Sequence, residues 1–420
     1  MTTPTGIEAI SLALPRRYLD LEDLARARGI APEKLTVGLG GRRMSVPDPG
    51  EDSVSLAAAA VARLLAQTGI EPEQIGQLIV GTETTVDHAK PVASFVQGLL
   101  GLPHTMRTYD AQHACYGGTA GLMASATWIA SGAADGQVAI VVASDVARYG
   151  VGTAGEPTQG AGAVAMLVSA QPAVLALDLG VCGVSSADVH DFWRPLGRRE
   201  ALVDGHYSVE CYLEALAGAY TGWRSRARAR GLLAGEAGLL PSEHLARVLY
   251  HVPFCKMARK AHARVRQADL EAIGGAPVEA DTALSFDAQV KSSLEVCAEV
   301  GNVYTASLYV ALLGALRRDA AALRGRRIGL FSYGSGCCGE FFSGVVGDGA
   351  AEALRKVGVE ALLEGRERID VAEYERIMGL PVDPAPWEEP LEGRYRFVGV
   401  TDGRRRYAGG RGGPQIVSGS

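Results

Sequence analysis

Short runs of valine, isoleucine and leucine, bounded by glycine or polar residues, recur along this chain, and helical patterns fill the gaps between them. Runs of this length read as strands buried on both faces. The clearest are residues 78–80, 138–143, 163–168, 174–177, 248–251 and 328–333. Between them, residues 53–67 begin with Ser53, a possible helix cap. Residues 117–130 are small or apolar almost throughout, as in a helix enclosed on all sides. Residues 207–230 become basic towards the C-terminal end, where cations suit the helix dipole, and 304–317 form another amphipathic helix. Strands alternating with helices predict an α/β fold with covered sheets.

A chain of 420 residues suggests two or three domain-sized units. Each side of residue 170 carries a strand–helix–strand series of similar size. The expected division is therefore 1–170 and 171–407. A Pro-rich acidic linker, PVDPAPWEEP at 381–390, precedes a late strand at 395–400, and the Gly-rich tail 408–420 reads as disordered.

The formal net charge of −6, without a long basic stripe, argues against a nucleic-acid partner. Seven cysteines, an odd number with no CxxC pair, argue against a disulfide framework or a structural zinc site and fit a reducing cytoplasm. Glu8 interrupts the first apolar run, so no secretory signal is expected, and no run of about 18 apolar residues predicts a membrane span.

Several residues could carry chemistry. Cys115, in HACYGGTAG, stands immediately before the small-residue helix. Unpaired N–H groups and the helix dipole there would favour the reactive thiolate, while a buried inert cysteine is the plain alternative. Glu83 follows a strand in GTETTVDHAKP, where burial would raise its pKa and suit it to acid–base work; a capping or surface role is the alternative. His251 ends a strand, the usual place for α/β sites, and Asn302 starts a helix, where it is either a functional group or an N-cap. The turn Tyr333, Gly334, Ser335, Gly336 either aims backbone N–H groups at an oxyanion or is a tight structural turn. Lys256 and Lys260 share one face of a basic helix, which is either solvated or able to hold phosphates.

Together, ACYGGTA at Cys115, GTET at Glu83, ARYGVGTAGEPTQGAGAVAML at 147–167, DFWRP at 191–195, HVPFCKMARKA from His251, GNVYTASLY from Gly301 and FSYGSG from Phe331 resemble the 3-hydroxy-3-methylglutaryl-CoA (HMG-CoA) synthase family of the thiolase superfamily. The likeness runs from Gly6 to about Tyr407. It implies a five-layered α-β-α-β-α fold of two similar halves, with no metal or redox cofactor and a homodimeric assembly. It implies Cys115 as nucleophile, Glu83 as general acid–base, and His251 with Asn302 positioning a second thioester. The Cys115 and Ser335 N–H groups would form the oxyanion hole, with Tyr149, Thr158, Ser335 and Tyr333 lining the pocket and Lys256 and Lys260 near the carrier phosphates. The expected substrates are acetyl-CoA and acetoacetyl-CoA. Relatives that branch polyketides use acyl carrier proteins instead. A decarboxylating ketoacyl synthase would share Cys, His and Asn but has no need of Glu83, and a non-enzymatic scaffold would need none of these residues.

Overall fold

The computed structural model describes residues 4–198, 200–234, 239–275, 278–381 and 394–409. The apolar runs form most of one continuous nine-stranded order: Arg247–Tyr250, Arg327–Gly334, Cys338–Val346, Leu175–Ser186, Gly6–Ala13, Ala161–Ser169, Val138–Val146, Ile75–Gly81 and Arg107–Ala111. Gly6–Ala13 and Leu175–Ser186 join through two residue pairs, Gly6 with Ala176 and Ile7 with Leu175. This narrow seam separates a five-stranded portion from a four-stranded one.

Side-chain alternation assigns the layers. In the five-stranded portion Leu78, Val80, Ile140 and Val142 point to one face, against Leu56, Ala57, Ala60, Val61 and Leu64 of the helix Ser53–Thr68. Ile79 and Val141 point to the other face, against Gly121 of the helix Gly117–Ala130. That helix and Ser307–Leu323 lie between the two sheet portions, joined by Thr119 and Tyr309, whose hydroxyls are 2.8 Å apart. Beyond the four-stranded portion lies Gly205–Ala229, where Tyr220 and Trp223 pack on Phe341 at centroid distances of 5.0 and 5.1 Å. The layering is α-β-α-β-α, as the sequence resemblance implies.

Differences of detail have local causes. The helix Ser53–Thr68 is capped by Asp52 rather than Ser53: the Asp52 carboxylate accepts from the backbone N–H groups of Val54 and Ser55, and the Ser55 hydroxyl accepts from the Asp52 N–H. The helix expected at 304–317 starts as a 3-10 turn, Tyr304–Ala306, before Ser307–Leu323. Ala408 ends the strand Arg404–Ala408, which pairs with Arg396–Thr401, so it is not part of a disordered tail. The rest of that tail from residue 410, and the linker beyond Pro381, lie outside the described residues. No helix among the described residues is long and apolar enough to cross a membrane.

Two glycines contrast a close approach between layers with an open position. A Cβ on Gly81, at the end of its strand, would lie 2.2 Å from the Gly118 nitrogen. Gly98, exposed in the helix Val92–Leu100, has open space around its own Cβ position. Gly81→Ala should therefore destabilise the fold by about 1–3 kcal/mol through backbone overpacking. Gly98→Ala should stabilise it by about 0.4–1 kcal/mol. Thermal unfolding of the two variants checks the pair, and equal shifts would contradict the assigned close approach.

Candidate active site

The parallel strands Ile75–Gly81 and Val138–Val146 end side by side, and their ends build one wall. Asp145 is fully buried there. Its Oδ1 accepts from the Thr82 hydroxyl (2.9 Å), the Glu83 N–H (2.9 Å), and the Thr84 N–H (3.0 Å) and hydroxyl (2.7 Å). Its Oδ2 accepts from the Thr305 N–H (3.0 Å) and hydroxyl (2.5 Å). These bonds hold the turn that carries Glu83.

Cys115 approaches from the next strand. After Arg107–Ala111 the chain makes a tight turn in which Tyr116 N–H donates to the His113 carbonyl at 2.9 Å and Ala114 takes a left-handed φ of +40°. A non-glycine residue in that region stores strain, a feature that clusters at functional turns. The turn brings Cys115 Sγ to 3.0 Å from Glu83 Oε1, with the thiol donating. Burial, then the charge of Asp145, pushes the Glu83 carboxyl up to about 8. Burial and the Glu83 carboxylate raise the Cys115 thiol well above its ordinary value. The helix start therefore does not make Cys115 a resting thiolate. Desolvation acts against the dipole, and the hydrogen-bonded Cys–Glu pair titrates as a unit.

On the other side of Cys115 is an aromatic cluster. Tyr149 and Tyr304 (6.4 Å between ring centroids) pack with Phe192 and Cys115. The Tyr149 hydroxyl engages the side chains of Tyr304 and Asn302. Asn302 Oδ1 accepts from the Tyr304 N–H (2.9 Å) and the Ser307 hydroxyl (3.0 Å), so Asn302 is a cap and a neighbour of the site at once. Its own N–H donates to the Thr158 carbonyl at 2.9 Å. Thr158 lines a narrow cleft with Val252, Phe254, Cys255 and Gly301.

The third wall comes from the four-stranded portion. The turn after Arg327–Gly334 lies against the Cys115 turn: a Cβ on Gly334 would sit 2.3 Å from the His113 carbonyl oxygen, and the His113 ring donates to the Ser335 backbone. The Tyr333 hydroxyl donates to Asp191 at 2.8 Å, and the Gly336 N–H does so at 2.9 Å. His251 follows the parallel neighbour strand. It is buried, and burial pushes its imidazole down to about 3, so the ring is neutral. Its carbonyl accepts from Tyr212, whose ring contacts Tyr333 at 5.1 Å.

A family model for the N-terminal region of hydroxymethylglutaryl-coenzyme A synthase matches residues 2–173, and one for its C-terminal region matches 175–283 and 278–381. The chain belongs to the HMG-CoA synthase family. The Enterococcus faecalis hydroxymethylglutaryl-CoA synthase is 36% identical, over 93% of this chain and 96% of that protein. The structure of MvaS in complex with 3-hydroxy-3-methylglutaryl coenzyme A has a TM-score of 0.94 at 60% identity, covering 98% of this chain and 100% of that one. The curacin pathway HMG synthase in complex with acetyl donor-ACP has a TM-score of 0.86 at 30% identity, covering 96% and 99%. Membership makes this chain an acyl-transferring condensing enzyme.

Not every expected residue reaches the Cys115–Glu83 pair. Lys256 and Lys260 are exposed at the start of the helix Met257–Glu271 and are not among the residues that line the Thr158 cleft, whereas His262 and Arg266 of the same basic run turn inwards. Conversely, Asp145, Asp191, Arg194 and Tyr304 surround the site without having been singled out from the sequence. DFWRP contains two of them, and the buried setting of Asp145 is visible only as the polar end of an apolar strand. If the Cys115–Glu83 pair loses its first proton near pH 8, alkylation of Cys115 by iodoacetamide should accelerate about tenfold per pH unit below that point and level off above it. A rate that is flat between pH 6 and 8, read by peptide mass spectrometry, would contradict titration of the pair as a unit.

Proposed function

We propose that this enzyme condenses an acetyl thioester with acetoacetyl-CoA through acetyl-Cys115 and then hydrolyses the product from the cysteine. The observation that carries the reading is the 3.0 Å pairing of Cys115 with Glu83 in a buried site. Glu83 takes the thiol proton as Cys115 attacks the acetyl carbonyl, and the departing CoA thiolate leaves with that proton. Glu83, again a carboxylate, removes a proton from the acetyl methyl group. The resulting carbon nucleophile attacks the 3-keto carbon of the second thioester. The alkoxide formed there is stabilised by an N–H of neutral His251, a donor that adds no net charge of its own, and takes up the proton that Glu83 removed from the methyl group. The backbone N–H groups of Cys115 and Ser335 are the proposed oxyanion donors. Asn302, Tyr149, Thr158 and Tyr333 are the proposed pocket, and water finally cleaves the Cys115 thioester. These are acyl and proton transfers, which need no metal or redox cofactor.

CoA is the proposed carrier because the 60% identical structure is a complex with HMG-CoA, whereas the carrier-protein complex is with a protein 30% identical to this chain. The exposed Lys256 and Lys260, which follow the cleft residue Cys255 in the chain, would meet its phosphates. We also take residues 1–170 and 171–407 as the two thiolase-like halves, the enzyme as a cytoplasmic homodimer, and its pathway as mevalonate formation.

Two outcomes test this function. Glu83→Gln should still acetylate Cys115, more slowly because the thiol must lose its proton to water. Condensation should fall by about 10²–10⁴-fold, so acetyl-enzyme accumulates with both substrates present. Near-normal condensation would remove Glu83 from the chemistry. Lys256→Ala and Lys260→Ala should raise KM for CoA thioesters more than they lower kcat. Equal losses in kcat and kcat/KM would place these lysines in the chemistry rather than in carrier binding.

A further inference from the structure

Glu83 stands in an environment that opposes its ionisation. It is buried, and the nearest carboxylate, Asp145, is itself fully buried and held by six hydrogen bonds. Two un-ionised thiol and phenol neighbours, Cys115 and Tyr149, complete the packing, and Tyr304 adds its ring. A general base in such a place needs a positive charge nearby, or it stays protonated at neutral pH.

One cation meets this need. Arg194 donates from Nη2 to the Glu83 carbonyl oxygen, and it lines the cavity of about 690 Å³ that opens beside Glu83. Among the described residues it is the cation whose charge acts on Glu83 in the direction of ionisation. Its position is built from its own segment. Three residues earlier, Asp191 is fully buried and accepts from Tyr333 and Gly336, and the next residue, Phe192, packs against Tyr304 at 5.8 Å. The segment is therefore anchored at the Ser335 turn and at the aromatic cluster before it delivers the guanidinium to Glu83. His88, Lys90, Arg148, Arg198 and Arg405 border the same cavity, as do Glu51, Asp52, Asp87 and Asp110, so the cavity has charge of both signs. Arg194 differs from these in being bonded to the Glu83 peptide.

We propose that Arg194 is a positioning residue for the condensation: it fixes the Glu83 peptide and supplies the positive charge that lets the Glu83 carboxylate form beside Cys115. The proposal deepens the functional reading above and rests on it for the role of Glu83. It involves no contact with substrate. The guanidinium acts through Glu83, by a hydrogen bond to its carbonyl and by Coulomb attraction across a partly buried gap.

The test compares wild type, Arg194→Met and Arg194→Lys in the full-length protein. Two rates are read at Cys115 against pH: acetylation by acetyl-CoA and alkylation by iodoacetamide, both by peptide mass spectrometry. Loss of the cation should move the rising limb of both profiles upward by about one pH unit, which lowers the rate at pH 7 by about tenfold. Lysine restores the charge but not the planar hydrogen-bonding fork, so Arg194→Lys should bring the limb back most of the way. A lower rate at every pH with an unmoved limb in Arg194→Met would overturn the proposal, and so would a moved limb that Arg194→Lys leaves uncorrected. The alkylation arm needs no thioester. If wild type fails to acetylate, the functional reading falls, while the alkylation profiles still decide the role of Arg194. Should Arg194→Met fail to fold, Arg194→Gln takes its place with the same expected shift.

Discussion

The site depends on one buried carboxylate. Asp145 accepts six hydrogen bonds, four from the turn that carries Glu83 and two from Thr305, which precedes the long helix of the C-terminal half. Taking a carboxylate out of water costs several kcal/mol, and that cost is offset only if its lone pairs are filled with good geometry. Filling them here ties the end of the strand Val138–Val146 to Ile75–Gly81 on one side and to the 301–306 segment on the other. The Glu83 turn and the segment that contains Asn302 are thereby tied to the same carboxylate. Oδ2 depends on Thr305 alone for both of its bonds, whereas Oδ1 shares four donors, so the tie to the 301–306 segment is the less redundant of the two.

The electrostatics follow from this dry, crowded construction. Buried thiol, imidazole and carboxyl groups all move towards their neutral forms: Cys115 and Glu83 upward, His251 down to about 3. A neutral site is suited to a reaction whose charges appear in sequence on sulfur, on carbon and on oxygen. A developing charge that meets a preorganised donor or acceptor in such a low-dielectric setting is stabilised more strongly than in water. Decarboxylating condensation generates its carbanion without a base and has no use for a carboxyl group bonded to the nucleophile. On the proposed roles, the Cys115–Glu83 contact separates this enzyme from that class.

Strands covered on both faces are legible in the sequence because coverage demands an unbroken apolar run. Residues 78–80, 138–143 and 163–168 lie within strands for this reason. Arg107–Ala111 escapes the same reading: it is an edge strand, half exposed, and spells RTYDA. Cys338–Val346 also escapes, because its glycines suggest a turn. Yet Gly339 and Gly344 serve close packing, with Cβ positions 3.1 Å from the Ala215 side chain and 2.7 Å from the Ala176 carbonyl. In the site, Cys115, Glu83, His251 and Asn302 are recognisable by motif. Asp145, Asp191 and Arg194 are not, since a buried charge in a string of letters looks like a solvated one. What distinguishes Asp145 is a set of partners 60 to 160 residues distant in sequence, and only folding reveals them.

The order in which this wall is synthesised has a consequence of its own. Cys115 leaves the ribosome with Glu83 already made, but Thr305 and Ser335 follow about 190 and 220 residues later. At about 5–20 residues per second, that interval is on the order of ten to forty seconds. During it Asp145 has no Thr305 to bind, and the turn around Ala114 has no Gly334 to lean on. The nascent chain thus carries Cys115 as an ordinary thiol without a finished pocket, surrounded by the acyl donors of the cell. Assembly from two distant stretches of chain therefore leaves Cys115 exposed for that interval, and the burial that raises its thiol arrives only when the last wall closes.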